Sequence, residues 1–228
     1  MWLIDQTVYE AMQKARHNGL DVTASQHTDF QASRVPMCGI KKDRSAHIPV
    51  TGVLTNAPDL FASIFGGGNT VYSELSDAVN AADQDPDISE IVLEIDSGGG
   101  QVKGLFQAID IIKSTKKRVT ALVTGNAASA AYAIAAAADT IVATSRAVEV
   151  GSIGVVVSAE IDANVIDITS TDAPFKRPDP NTEDGKAAIV EHLDAWHELF
   201  VEAIAEGRGI TAEVVNKDFG RGGMLLAD

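Results

Sequence analysis

Residues 90–101 read EIVLEIDSGGGQ, and residues 118–132 read RVTALVTGNAASAAY. Each opens with aliphatic and β-branched residues, the texture of a strand buried within a sheet. Each then passes abruptly into glycine or alanine. Between them, residues 102–114 place Leu105, Ile109 and Ile112 on one helical face. After the second stretch, small apolar residues from Ser129 to Ala138 predict a closely packed helix, and TIVA at 140–143 predicts another strand. Alternating strands and helices over this length imply an α/β fold: a parallel sheet with right-handed crossovers.

Working outward, IPVTGVLT at 48–55 reads as a strand, and 57–69, with Gly66, Gly67 and Gly68, as a mobile loop. Residues 71–82 read as a helix ended by Asp85-Pro86-Asp87, and DSGGG at 96–100 as a tight turn. Downstream, 148–157 and 165–169 predict strands, and 171–184 a loop rich in Pro and Asp. A long amphipathic helix over 184–206 has Ile189, Leu193, Trp196, Phe200 and Ile204 as its apolar stripe. A short helix over 212–218 follows, and the element that begins at Gly223 is expected to continue past Asp228. Residues 1–45 read as a separate arm, with Ile4, Val8, Met12 and Ala15 at helical spacing before a polar stretch. Residues 46–228 form the main domain.

The 228 residues carry a formal net charge of −14, which argues against a polyanion partner and hence against nucleic acid. One cysteine, Cys38, cannot close an internal disulfide, so a reducing compartment is expected. The N-terminus is too short and acidic for a signal peptide, and no stretch reaches the roughly 18 apolar residues of a membrane span. There is no HExxH, no paired CxxC and no GK[ST] phosphate loop, so no metal site and no cofactor are expected.

The chemistry is expected at the two βα turns. Three glycines after a buried strand are entropically costly, and are useful where bare backbone N–H groups must face a bound group. Gly98, Gly99 and Gly100 supply them. In the second turn, Ser129 stands where a strand gives way to a helix, whose first N–H groups lack partners. In a parallel sheet the C-terminal strand ends open on one crevice. An N–H of the glycine run and the N–H of Ala130 then converge beside the Ser129 hydroxyl, giving a nucleophile between two oxyanion donors.

DSGGG, GNAASAAY, AADTIVA and GSIGVV, in that order, resemble the signal peptide peptidase A family of serine proteases. The resemblance spans about residues 48 to 226 and is closer to the branch encoded by tailed phages and prophages for head maturation. It implies a Clp/crotonase-like fold of repeated β-β-α units, with a parallel sheet flanked by helices. It implies Ser129 as nucleophile, Gly100 and Ala130 as oxyanion donors, and Gly98 and Gly99 against the substrate. The family usually has a proline where Gly98 stands and glycines where Ala130 and Ala131 stand; neither change removes a backbone donor.

Serine needs a base. His17 and His27 lie in the arm, His47 precedes the first strand, and His192 and His197 sit on the long helix. None stands at a sheet-end turn, and ordinary surface histidines account for all five. By the resemblance the base is a lysine downstream of the GSIG strand, here Lys176; Lys186, or no lysine at all, are the alternatives. Burial among Ala173, Pro174 and Phe175 favours a neutral amine by lowering the ordinary pKa of about 10.4.

The expectation is a cytoplasmic, homo-oligomeric serine endopeptidase with a Ser129–Lys176 dyad, acting on scaffold or capsid proteins in a phage procapsid. The rivals are a bacterial signal-peptide-degrading peptidase, an acyl-CoA enzyme of the same fold, and an inactive structural protein of head assembly.

Overall fold

The computed structural model describes residues 2–4, 40–65, 68–157 and 177–226. The strands are β1 (Trp2–Ile4), β2 (Ile40–Lys42), β3 (Ser45–Thr55), β4 (Asn69–Val71), β5 (Glu90–Gln101), β6 (Arg118–Ala128), β7 (Thr140–Ala143), β8 (Glu149–Gly151) and β9 (Met224–Leu226). The helices are α1 (Leu60–Phe65), α2 (Tyr72–Gln84), α3 (Leu105–Ser114), α4 (Ala130–Ala136), α5 (Glu183–Arg208) and α6 (Ala212–Asp218).

Aliphatic runs make the centre of the sheet. Ile91, Leu93 and Ile95 of β5 are fully buried, as are Ile48 and Val50 of β3 and Ala121 and Val123 of β6. These strands pair in parallel: β3 with β5 from Ser45↔Glu90, and β5 with β6 from Glu90↔Arg118. The sheet runs β2-β3-β5-β6-β8-β9, with β1 joined to β5, β4 to β3 and β7 to β6. Helices α2 and α3 are the crossovers. Leu75, Ala78, Val79 and Ala82 of α2, and Leu105, Ala108, Ile109 and Ile112 of α3, recur at helical spacing and are buried. The parallel α/β architecture expected from the sequence is present.

Helix α4 is buried along its whole length, from Ala130 to Ala136. Alanine makes this possible, because its small side chain lets neighbouring backbones approach. The far end of α5 packs there, with Phe200 and Ile204 fully buried. Toward its N-terminus the stripe is less covered: Ile189, Leu193 and Trp196 are half-buried. Thr182 caps α5 by accepting from the Gly185 N–H at 3.0 Å, and Gly209 ends it at φ 64°.

Four local readings differ from the sequence expectation. Residues 57–69 contain α1, because Asp59 receives the Ala62 N–H on its carboxylate at 3.0 Å and so caps a turn of helix. DSGGG is not a turn but the last part of β5. Strand β8 stops at Gly151, where positive φ at Gly151 and Ser152 ends extended pairing. Ile4, expected on a helix, pairs in β1. Val8, Met12 and Ala15, and the strand expected at 165–169, lie outside the described residues.

Candidate active site

Two irregularities in the sheet build the site. The β3–β5 register shifts between Thr51 and Val53, and the β5–β6 register shifts between Ile95 and Ser97. Both shifts meet at Ser97. Its buried hydroxyl donates to the Gly52 carbonyl at 2.6 Å and accepts the Gly99 N–H at 3.1 Å. The bulges re-aim the end of β5, as bulges beside active sites do. Beyond them Gly99 adopts φ 96°. A Cβ at Gly100 would strike the backbone of Leu54, so only glycine lets β5 lie against β3 there.

On the other side, Ala127 is the last β6 residue in register with β5, opposite Ser97. Two residues later the chain turns at Ser129, with φ 54° and ψ −122°. A non-glycine residue held there costs about 1–3 kcal/mol and persists only where its surroundings dictate it. Here they do. The Ser129 N–H donates to Gly151 of β8 at 2.7 Å, and its carbonyl accepts from Tyr132 and Ala133 at 2.9 and 3.2 Å. The flanking Ala127, Ala128, Ala130 and Ala131 are fully buried. The strained strand-to-helix corner that presents a serine in hydrolases has this form.

The residue is 1% exposed, so the crevice expected at the strand ends is closed over the hydroxyl. Among the described residues, Ser129 Oγ is the one buried side-chain oxygen or nitrogen without a hydrogen-bond partner. An unmade bond on a buried hydroxyl is destabilising, and a group left in this state calls for an explanation in strain, in catalysis or in a bound water or ion. Ala130 and Ala131 open α4, where no carbonyl one turn earlier within the helix can accept their N–H groups.

The other expected participants are placed as follows. Gly98, Gly99 and Gly100 lie in the end of β5, three residues or fewer past the Ser97–Ala127 pair. The Gly99 N–H is held by Ser97, and Gly100 stands opposite Leu54 of β3 and Leu3 of β1. Lys176 lies outside the described residues. Lys186 stands in the first turn of α5, more than half exposed, 3.5 Å from Glu183. His47 pairs with Glu94 at 2.7 Å on the sheet, His192 accepts from the Trp196 indole at 3.0 Å, and His197 lies 3.1 Å from Asn216. His17, His27 and Cys38 lie outside the described residues. No cluster of three or more metal-ligating side chains occurs among the described residues.

Two contributors were not singled out from the sequence. Ser97 organises the glycine run, and the only sequence signal was its place before three glycines. Asp96 accepts the Asn126 N–H at 2.9 Å, and a Cβ at Gly125 would strike its carboxylate. That contact ties the end of β5 to the approach of Ser129.

Comparison with known proteins bears on this geometry. The model of peptidase family S49 matches residues 111–227, just over half the chain and including the Ser129 corner. The chain belongs to peptidase family S49. A second model, Clp protease, matches residues 66–150 of the same S49 chain. Among curated proteins, the capsid assembly protease C of Escherichia phage lambda is 28% identical over 75% of this chain and 41% of its own length. The head-tail preconnector protein GP5 of Enterobacteria phage P21 is 29% identical over 75% of this chain and 36% of its own. A probable protease SohB of Haemophilus influenzae is 32% identical over 59% of this chain. The S49 chain therefore spans about two fifths of the length of the curated relatives it matches. Among solved structures, a membrane-bound stomatin-specific protease, 1510-N, shares the fold at TM-score 0.52 and 16% identity, over 82% of this chain and 74% of that one. No helix among the described residues is long and apolar enough to cross a membrane.

Proposed function

We propose that this S49 chain is a serine endopeptidase with a Ser–Lys dyad, serving phage or prophage head maturation by cleaving scaffold or capsid proteins. The observation that carries the reading is Ser129: φ 54° at a strand-to-helix corner, with a buried hydroxyl that no other group engages. A purely structural serine at a helix start spends its hydroxyl on a cap; this one does not.

In the proposed reaction, Ser129 Oγ attacks the scissile carbonyl carbon and gives its proton to the neutral amine of Lys176. The carbonyl oxygen, now negative, is held by the N–H groups of Gly100 and Ala130. Collapse breaks the C–N bond, Lys176 passes the proton to the leaving amine, and an ester on Ser129 remains. Water, deprotonated by the same lysine, attacks the ester and frees the acid and the hydroxyl. Gly98 and Gly99 line the path of the substrate backbone. A homo-oligomer that completes the site between subunits fits a dyad whose lysine must be buried to be neutral.

The test is mass spectrometry of head proteins co-expressed with the wild type, Ser129→Ala or Lys176→Ala. Defined cleavage products are expected with the wild type alone. Normal cleavage by Lys176→Ala removes the lysine from the mechanism, and normal cleavage by Ser129→Ala removes the reading altogether. The resemblance to the signal peptide peptidase A family leaves one other substrate, bacterial signal peptides, and the same comparison with such peptides separates the two.

A further inference from the structure

Strand β5 outlasts β6. Their last paired residues are Ser97 and Ala127, after which β6 runs to Ala128 and turns away at Ser129. β5 continues through Gly99, Gly100 and Gln101. One edge of this extension is held by β3, in the pairs Val53↔Gly99 and Leu54↔Gly100. A strand has two hydrogen-bonding edges, so the second edge lies on the side of β6 and of the Ser129 corner. That edge is occupied. Strand β1 runs antiparallel along it, with Ile4 opposite Gly99, Leu3 opposite Gly100 and Trp2 opposite Gln101.

The position of β1 has a consequence for access. An extended peptide that brings a carbonyl to Ser129 and Gly100 from this side adds a strand to the same edge. It needs the backbone groups of Gly99–Gln101 that β1 already uses. The Ser129 hydroxyl is meanwhile covered and without a partner. The edge that a substrate strand would use is therefore taken by the chain's own residues 2–4.

We infer that Trp2–Ile4 is an autoinhibitory strand, seated on the edge of β5 beside Ser129 and displaced by substrate. The inference rests on the proposed role of Ser129. Three paired residues make a short ladder, so a substrate with more backbone contacts can displace it. The strand acts as a competing conformation, lowering apparent affinity in proportion to the time it is docked.

The test compares the full chain with a Leu3→Pro/Ile4→Pro double variant. Adjacent residues of a strand point their N–H groups to opposite edges, so one of the two prolines removes a group that faces β5. Ser129 labelling by a fluorophosphonate is followed by intact-mass measurement, and KM and kcat are measured on a quenched-fluorescence peptide. A strand docked about nine-tenths of the time predicts about tenfold faster labelling and about tenfold lower KM, with kcat unchanged. A synthetic hexapeptide of sequence MWLIDQ slows the variant back toward the parent rate. Equal labelling and equal KM overturn the role of the strand alone; no labelling of either form overturns the reading of Ser129 and this inference with it. Should the double variant fail to fold, hydrogen exchange on the wild type decides. Phosphonylation of Ser129 by a peptidyl phosphonate ester, with loss of its leaving alcohol, is expected to expose the amides of residues 2–4, and unchanged protection overturns the inference.

Discussion

Ser97 Oγ donates to the carbonyl of Gly52 at 2.6 Å, at the point where β5 changes register with both β3 and β6. The same oxygen accepts the Gly99 N–H. One buried hydroxyl thus joins two bulges and sets the direction of the glycine run. Ser97→Ala leaves a buried carbonyl and a buried N–H without that partner. The expected loss is about 1–3 kcal/mol in urea denaturation. Activity is expected to fall through kcat more than KM, since the oxyanion donor is displaced, and Ser97→Thr is expected to restore part of it. An alanine variant with wild-type stability and kcat would show that the bulges hold without the hydroxyl.

Tyr72 begins α2 and donates its phenolic hydrogen to the Gln101 carbonyl at 2.7 Å, bracing the end of β5. Burial raises its pKa well above the ordinary 10.0. The folded chain therefore keeps a proton that the unfolded chain releases above about pH 10. Stability from this group is complete below that pH and is lost as pH rises toward the folded value. Tyr72→Phe is expected to cost about 1 kcal/mol near neutrality, from the lost hydrogen bond, and to flatten the alkaline decline. Tyr132, raised by burial and partly offset by Arg208, keeps a residual slope in the variant. Urea midpoints at pH 8, 9, 10 and 11 for both proteins check this; parallel curves refute it.

The central strands and the crossover helices were legible because their signals are local. Ile91, Leu93 and Ile95 announce a buried strand, and Leu105, Ile109 and Ile112 a helix face. Ser129 was legible as a candidate from its place between GNAA and AAY. Its φ was not, because that torsion is imposed by Gly151 across the sheet. The extension of β5 was hidden for a similar reason. Three glycines read as a turn when taken alone, and only β3 on one edge and β1 on the other hold them extended. The cap at Asp59 was a missed local signal, masked by the glycines that follow it. Lys176 stands on the family resemblance and on position along the chain.

Helix α5 reaches α4 through Gly207. A Cβ there would strike the carbonyl of Ala136, at the end of the helix that begins beside Ser129. Gly207→Ala is expected to push the two helices apart at a cost of about 1–3 kcal/mol, despite the better helix propensity of alanine. Thermal unfolding of Gly207→Ala beside the exposed control Glu202→Ala separates the two effects. A raised melting temperature in Gly207→Ala means the helices have room to spare.

Ser129 carries opposite consequences for stability and for chemistry. Its hydroxyl is buried without a partner, and its backbone is held at φ 54°. Ser129→Ala keeps the strained turn and removes only the orphaned oxygen. The variant is expected to lose labelling and cleavage completely while gaining about 1–3 kcal/mol, read as a higher urea midpoint with an unchanged slope. A serine serving only as a helix cap predicts the reverse, a loss of about 1 kcal/mol on truncation. The sign of the change therefore distinguishes a hydroxyl held in reserve for a substrate from one that supports the fold.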